Sequence, residues 1–149
     1  MCNAYRVQTD HHLDQQLCFA LYSAARSATA AYRDALADIG LTYTQYVTLL
    51  ALWERDGRTV SDLGEALHLD SGTLSPLLKR MSASGLVEDA RRVTIHLTDA
   101  GRELESQVAA IQRRLYDAVD MEPEELATLR HLAQRFCASV GDTTPTQGA

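Results

Sequence analysis

A mainly α-helical fold carrying one small β-hairpin is predicted for this 149-residue chain by three observations. From Leu13 onward, apolar residues recur every three or four positions in six separate runs, the period of helices with one buried face. Those runs are punctuated at Gly40, Asp56-Gly57, Gly85 and Glu122-Pro123, residue types that stop or start helices. Between the fourth and fifth runs, Leu86-Val87-Glu88 and Val93-Thr94-Ile95-His96-Leu97 flank a charged Asp89-Ala90-Arg91-Arg92, which reads as two strands around a turn.

The first helix is expected over Leu13 to Asp38, a stretch rich in Ala and Leu, free of Gly and Pro, and closed by Gly40. A second spans Thr44 to Arg55, with Val47, Leu50, Ala51 and Trp53 at helical spacing. Thr59-Val60 reads as a short extended piece, after which Ser61 is expected to cap a third helix that buries Leu63, Ala66, Leu67 and Leu69. Asp70-Ser71-Gly72-Thr73 opens a fourth, whose apolar face is Leu74, Leu77, Leu78 and Met81. Beyond the hairpin, Thr98-Asp99-Ala100-Gly101-Arg102 caps a helix running to about Val119, and Glu122-Pro123-Glu124-Glu125 starts a last one ending near Val140.

Length sets one domain as the expectation, laid out as a flexible arm over 1–12, a domain over 13–140 and a disordered tail over 141–149. Nothing approaches eighteen consecutive apolar residues and the first twelve lack an apolar signal core, so a cytoplasmic protein with no membrane partner is expected. Cys2, Cys18 and Cys137 form no CxxC pair, and His11, His12, His68, His96 and His131 are scattered, so neither a metal site nor a cofactor is predicted. The net charge of −6 argues against a chain coated in nucleic acid. Arg55 to Arg92 is nevertheless neutral: Arg55, Arg58, Lys79, Arg80, Arg91 and Arg92 balance Asp56, Asp62, Glu65, Asp70, Glu88 and Asp89. A neutral module can bind DNA when its basic residues project to one side and two copies act together.

The third and fourth helices are separated by a tight turn, the arrangement in which the second helix enters the major groove. Its polar face offers Ser71, Thr73, Ser75, Lys79 and Arg80 as groups for base edges or phosphates. That pair alone reads equally well as a helical hairpin with a solvated face, but the β-hairpin following it gives the order of a winged helix-turn-helix. The winged module is placed at 44–97, with 13–43 and 98–140 as dimerisation helices whose apolar faces a second copy would cover. Two reading helices related by a two-fold axis would match a palindromic double-stranded operator.

These segments resemble the MarR-type winged-helix regulators, and within them the organic hydroperoxide resistance regulators. The resemblance covers Leu13 to about Leu132 and rests on Leu17-Cys18-Phe19-Ala20-Leu21-Tyr22-Ser23, on Leu41-Thr42-Tyr43-Thr44-Gln45-Tyr46, and on the run from Leu69 to Arg80. It implies a homodimeric repressor in which Cys18 is the peroxide-reactive thiol, grouped with Tyr22, Tyr32 and Tyr43. It also implies that Asp89 braces Arg91 for the minor groove, with Arg92 beside it. Helical arithmetic adds a condition: Tyr22 is one turn from Cys18, but Tyr32 is fourteen residues away, about 21 Å along a helix. Tyr32 can therefore meet Cys18 only from a second chain.

Chemistry accounts for the phenols, because the thiolate is the attacking species and hydrogen-bond donors favour the anion. An organic hydroperoxide would convert Cys18 to a sulfenic acid, which a small thiol could trap as a mixed disulfide. Two-cysteine members of the family carry a resolving cysteine near the junction of the last two helices, whereas Leu115 to Asp120 holds none here. Several basic wing residues expected before Asp89 are also missing. Two other readings remain open at this point: a regulator that binds a phenolic or other small ligand with Cys18 inert, and a thiol peroxidase, which the lack of a resolving cysteine disfavours.

Overall fold

The computed structural model describes residues 12–90 and 94–141, excluding the Ala90 side chain. It divides into two compact units, residues up to Leu115 and residues from Tyr116 onward. All but the last residue of the arm expected over 1–12, the residues Arg91, Arg92 and Val93, and all but the first residue of the tail expected over 141–149 lie outside the described residues.

The first unit begins with a three-residue 3-10 turn at Leu13–Gln15, after which Gln16 is extended and α1 runs from Leu17 to Ala37. The helix thus starts one turn later than the apolar run does; Leu13 is exposed, and Gln16 provides no side-chain cap. Gly40 closes the segment with φ of +67°, a conformation that favours glycine. Helix α2 spans Tyr43–Glu54 and opens on a capping box in which Thr42 and Gln45 satisfy each other's backbone amides.

A two-residue strand β1, Arg58–Thr59, leads into α3, Val60–Leu67. The cap of α3 is Thr59, not Ser61: its hydroxyl accepts the Asp62 amide while the Asp62 carboxylate accepts the Thr59 amide. Helix α4, Ser71–Ala83, is capped by Asp70 and followed by Gly85 at φ of +72°. Strands β2, Val87–Ala90, and β3, Thr94–Leu97, then form the wing.

The hairpin differs from expectation in two ways. Asp89 and Ala90 belong to β2, facing Ile95 and Thr94, because ladder pairing against a β-branched partner strand overrides the turn preference of Asp. The sheet also has three strands in the order β1-β3-β2, since Arg58 and Thr59 pair with Ile95 and Thr94. Two residues are too few to leave a period in the sequence.

After the wing, the expected continuous helix is interrupted. Helix α5, Asp99–Glu103, passes through a 3-10 segment, Leu104–Gln107, into α6, Val108–Asp117. Ser106 supplies a local cause, as its hydroxyl donates to the Glu103 carbonyl at 2.8 Å and competes with the helical pattern. The core of this unit is built on Leu36, Tyr46, Leu49, Leu52, Leu63, Leu74 and Met81, all fully buried. In the second unit, α7 spans Pro123–Gly141 and leaves Leu129, Leu132 and Val140 exposed.

Candidate nucleic-acid interface and redox centre

The turn between α3 and α4 is fixed at both ends. His68 closes α3 in the left-handed region at φ of 54°, and the Leu69 amide donates back to the Gly64 carbonyl at 2.9 Å. Asp70 opens α4 by spending both carboxylate oxygens on Thr73: Oδ1 accepts the backbone amide at 2.8 Å and Oδ2 accepts the hydroxyl at 3.1 Å. These two bonds hold the exposed Asp70 carboxyl below its ordinary value. They also fix the Thr73 hydroxyl proton, so on the exposed side Thr73 presents an acceptor.

With Leu74, Leu77, Leu78 and Met81 buried, the predicted Ser71, Thr73, Ser75, Lys79 and Arg80 are all exposed, Ser71 and Thr73 on the flanks of α4 and Lys79 on the side opposite the buried row. Its outermost line is different in kind. Gly72, Pro76 and Lys79, spaced by four and three residues, stand diametrically across from the buried row. Pro76 sits inside the helix and cannot donate to the Gly72 carbonyl, a substitution that costs an ordinary helix about 3 kcal/mol.

The base of the wing is held by Asp56, which lies just beyond α2. Its Oδ1 accepts amides from Leu97 and Gly57, both at 2.9 Å, and its Oδ2 accepts Arg102 Nη2 at 2.7 Å, with His96 Nδ1 at 3.8 Å. Burial raises the Asp56 carboxyl, but the two amides and the guanidinium outweigh it and hold the group below its ordinary value. Arg102 Nη1 meanwhile donates to the Leu97 carbonyl at 3.0 Å, and Trp53 Nε1 donates to the Gly101 carbonyl at 3.0 Å. The wing is thereby tied to α2 and α5. Asp89 is exposed on β2 and, with Ser75 and Lys79, lines a cavity of about 450 Å³ floored by Leu78, Val87 and Ile95. Arg91 and Arg92 lie outside the described residues.

At the other end of the unit, Cys18 is the second residue of α1, exposed and in no disulfide. Its position is closer to the helix start than the sequence suggests, within the first turn where unsatisfied amides attract negative charge. Tyr22, four residues on, is 55% exposed, accepts a hydrogen bond from Arg26 Nη1 at 2.9 Å and packs near Phe19. Tyr32 is held by its own chain, its ring 5.1 Å from that of Tyr43 and 5.4 Å from that of Tyr46. Tyr32 and Tyr43 are therefore brought together, and Cys18 and Tyr22 lie at the far end of the same helix.

A sequence profile of the MarR family matches residues 39–93, which contain α2, α3, α4 and the start of the wing. The HTH-type transcriptional regulator TtmR of Methylorubrum extorquens is 46% identical over 141 residues, covering 88% of this chain and 72% of that protein. The chain belongs to the MarR family. It is a transcriptional regulator and not an enzyme. Another relative, the organic hydroperoxide resistance transcriptional regulator of Bacillus subtilis, is 41% identical over 81% of this chain and 87% of its own length. A solved structure of reduced AbfR bound to DNA is 32% identical and superposes with a TM-score of 0.73 over 87% of this chain and 93% of its own. Among the described residues, no helix of this MarR-family chain is long and apolar enough to cross a membrane.

Sequence reasoning missed two features of this regulator. Tyr46 completes the aromatic cluster and was signalled by its place one turn after Tyr43, on the same face of α2. The Asp56–Arg102 clamp joins residues 46 positions apart and left no local signal.

Proposed function

We propose that this MarR-family chain is a homodimeric repressor that binds a palindromic operator when reduced and releases it when an organic hydroperoxide oxidises Cys18. The observation carrying this reading is the separation of Cys18, exposed in the first turn of α1, from a Tyr32–Tyr43–Tyr46 cluster assembled at the other end of that helix. About 21 Å of helix lies between Cys18 and Tyr32, so pairing of the two requires antiparallel α1 helices from two chains. Ala24, Ala25, Ser27 and Ala28 are small and exposed along the middle of α1, which favours that approach. In this reading 13–43 and 98–140 are the dimerisation segments and 44–97 the DNA-binding module. Ser71, Thr73, Ser75, Lys79 and Arg80 contact DNA, and Asp89, Arg91 and Arg92 serve the wing.

In the sensing step the Cys18 thiolate attacks one peroxide oxygen, an S–O bond forms as the O–O bond breaks, and an alcohol leaves. The resulting sulfenic acid condenses with a small thiol, releasing water and forming a mixed disulfide. Either product enlarges a side chain inside the interface and changes the spacing of the two reading helices. The name of the Bacillus relative and the reduced, DNA-bound state of AbfR support a thiol-controlled regulator. A second reading, control by a bound small ligand with Cys18 inert, is favoured by the cavity beside Ser75, Lys79 and Asp89. A gel-shift titration with cumene hydroperoxide separates them. Wild type is expected to lose DNA and regain it with dithiothreitol, while Cys18→Ser stays bound; an equal response in both proteins would eliminate the sensor reading.

A further inference from the structure

We infer that Pro76 is a specificity-determining residue of the reading helix, contacting the C5 methyl group of a thymine in the major groove through its exposed pyrrolidine ring. The inference rests on α4 being the helix that enters the groove. Three observations lead to it. Pro76 lies in the interior of α4, where it forfeits a helical hydrogen bond, yet its ring is exposed and the core gains nothing from it. It stands on the line of Gly72 and Lys79, directly opposite Leu74, Leu77, Leu78 and Met81, so it is among the first groups to meet a surface approached by this face. Gly72, one turn earlier, has no side chain to hold that surface away from the ring.

The chemistry of the occupant follows from the groups offered. A proline side chain has neither donor nor acceptor, and the only apolar group on a major-groove edge is the thymine methyl. Ser75 and Lys79, flanking it, remain available for hydrogen bonds to neighbouring bases or phosphates. Pro76 thus confers a preference for thymine over its unmethylated counterpart uracil, a distinction that hydrogen bonds from Ser75, Lys79 or Arg80 do not make.

The test begins with duplexes recovered by in vitro selection on the full reduced chain, followed by affinity measurements in which each thymine is replaced singly by uracil. Removing the contacted methyl is expected to weaken wild-type binding about fourfold per half-site. Pro76→Ala, which restores a helical amide and so folds readily, is expected to bind thymine and uracil duplexes equally. Pro76→Ala also recovers a selected sequence degenerate at that position. Wild-type affinity indifferent to uracil at every position, or the same uracil penalty in Pro76→Ala, would overturn the inference while leaving α4 as the reader. Failure of wild type to retain any duplex would instead remove the DNA-binding reading, and this inference with it.

Discussion

His68 closes α3 with a left-handed backbone, φ of 54°, at a position where most helices place glycine. The conformation costs an L-residue on the order of 1 kcal/mol, and the side chain is exposed. His68→Gly is therefore expected to stabilise the chain by up to about 1 kcal/mol, read as a higher urea midpoint with an unchanged slope. Gly101 is the opposite case. It is buried, and a Cβ there would overlap the Leu86 carbonyl oxygen, which already accepts the Thr98 amide at 3.2 Å. Gly101→Ala should cost about 2–4 kcal/mol by forcing β2 away from α5, a loss visible as a depressed thermal midpoint. Both residues are plain in the sequence, but their backbone angle and close neighbour are not. A glycine or a histidine looks the same in a chain whatever stands opposite it.

Among the elements, α4 and the wing carry the two features that matter most for the proposed DNA reading. The helix tolerates Pro76 in its interior because its apolar row packs fully on the other side. Pro76→Ala should accordingly raise stability by roughly 1–3 kcal/mol even as it relaxes sequence preference, a trade read by calorimetry beside the binding assay. The wing depends on Asp56. Its folded-state carboxyl lies below the unfolded value of about 3.9, so its contribution is fully present above that value and is lost as pH falls through the lower folded one. Urea midpoints of wild type and Asp56→Asn should differ by a constant amount near neutrality and converge only below about pH 4. A gap that stayed constant down to pH 2 would show that charge plays no part in the clamp. Periodicity was sufficient to locate α2, α3 and α4, but only α4 buries the face it named: α2 buries Tyr46, Thr48, Leu49, Ala51 and Leu52 with Val47, Leu50 and Trp53 half-buried, and α3 buries Leu63 while Ala66 is exposed. It was insufficient for β1, which is two residues long, and for the break at Leu104–Gln107, where a serine hydroxyl diverts a carbonyl.

For the whole molecule, the exposed apolar residues Leu17, Phe19 and Tyr22 on α1, and Leu129 and Leu132 on α7, are more than a DNA-reading module requires. The proposed homodimer predicts sedimentation at twice the 16.4 kDa chain mass, in reduced protein as well as in Cys18→Ser. The order of helices, the helix-turn-helix and the hairpin after it were determined by the sequence itself, because hydrophobic spacing, caps and turn residues act over fewer than ten positions. So was the exclusion of Tyr32 from the reach of its own Cys18, which needs only the rise of a helix. Tertiary structure alone decided which residues meet across long separations: Tyr32 with Tyr43 and Tyr46, Asp56 with Arg102 and Leu97, Trp53 with Gly101. It also decided that the crest of α4 is Gly72, Pro76 and Lys79, since the outward side of a helix is defined only once its inward side has found a core. Local chemistry sets which elements form; packing sets which of their side chains face one another and which are left to face a partner.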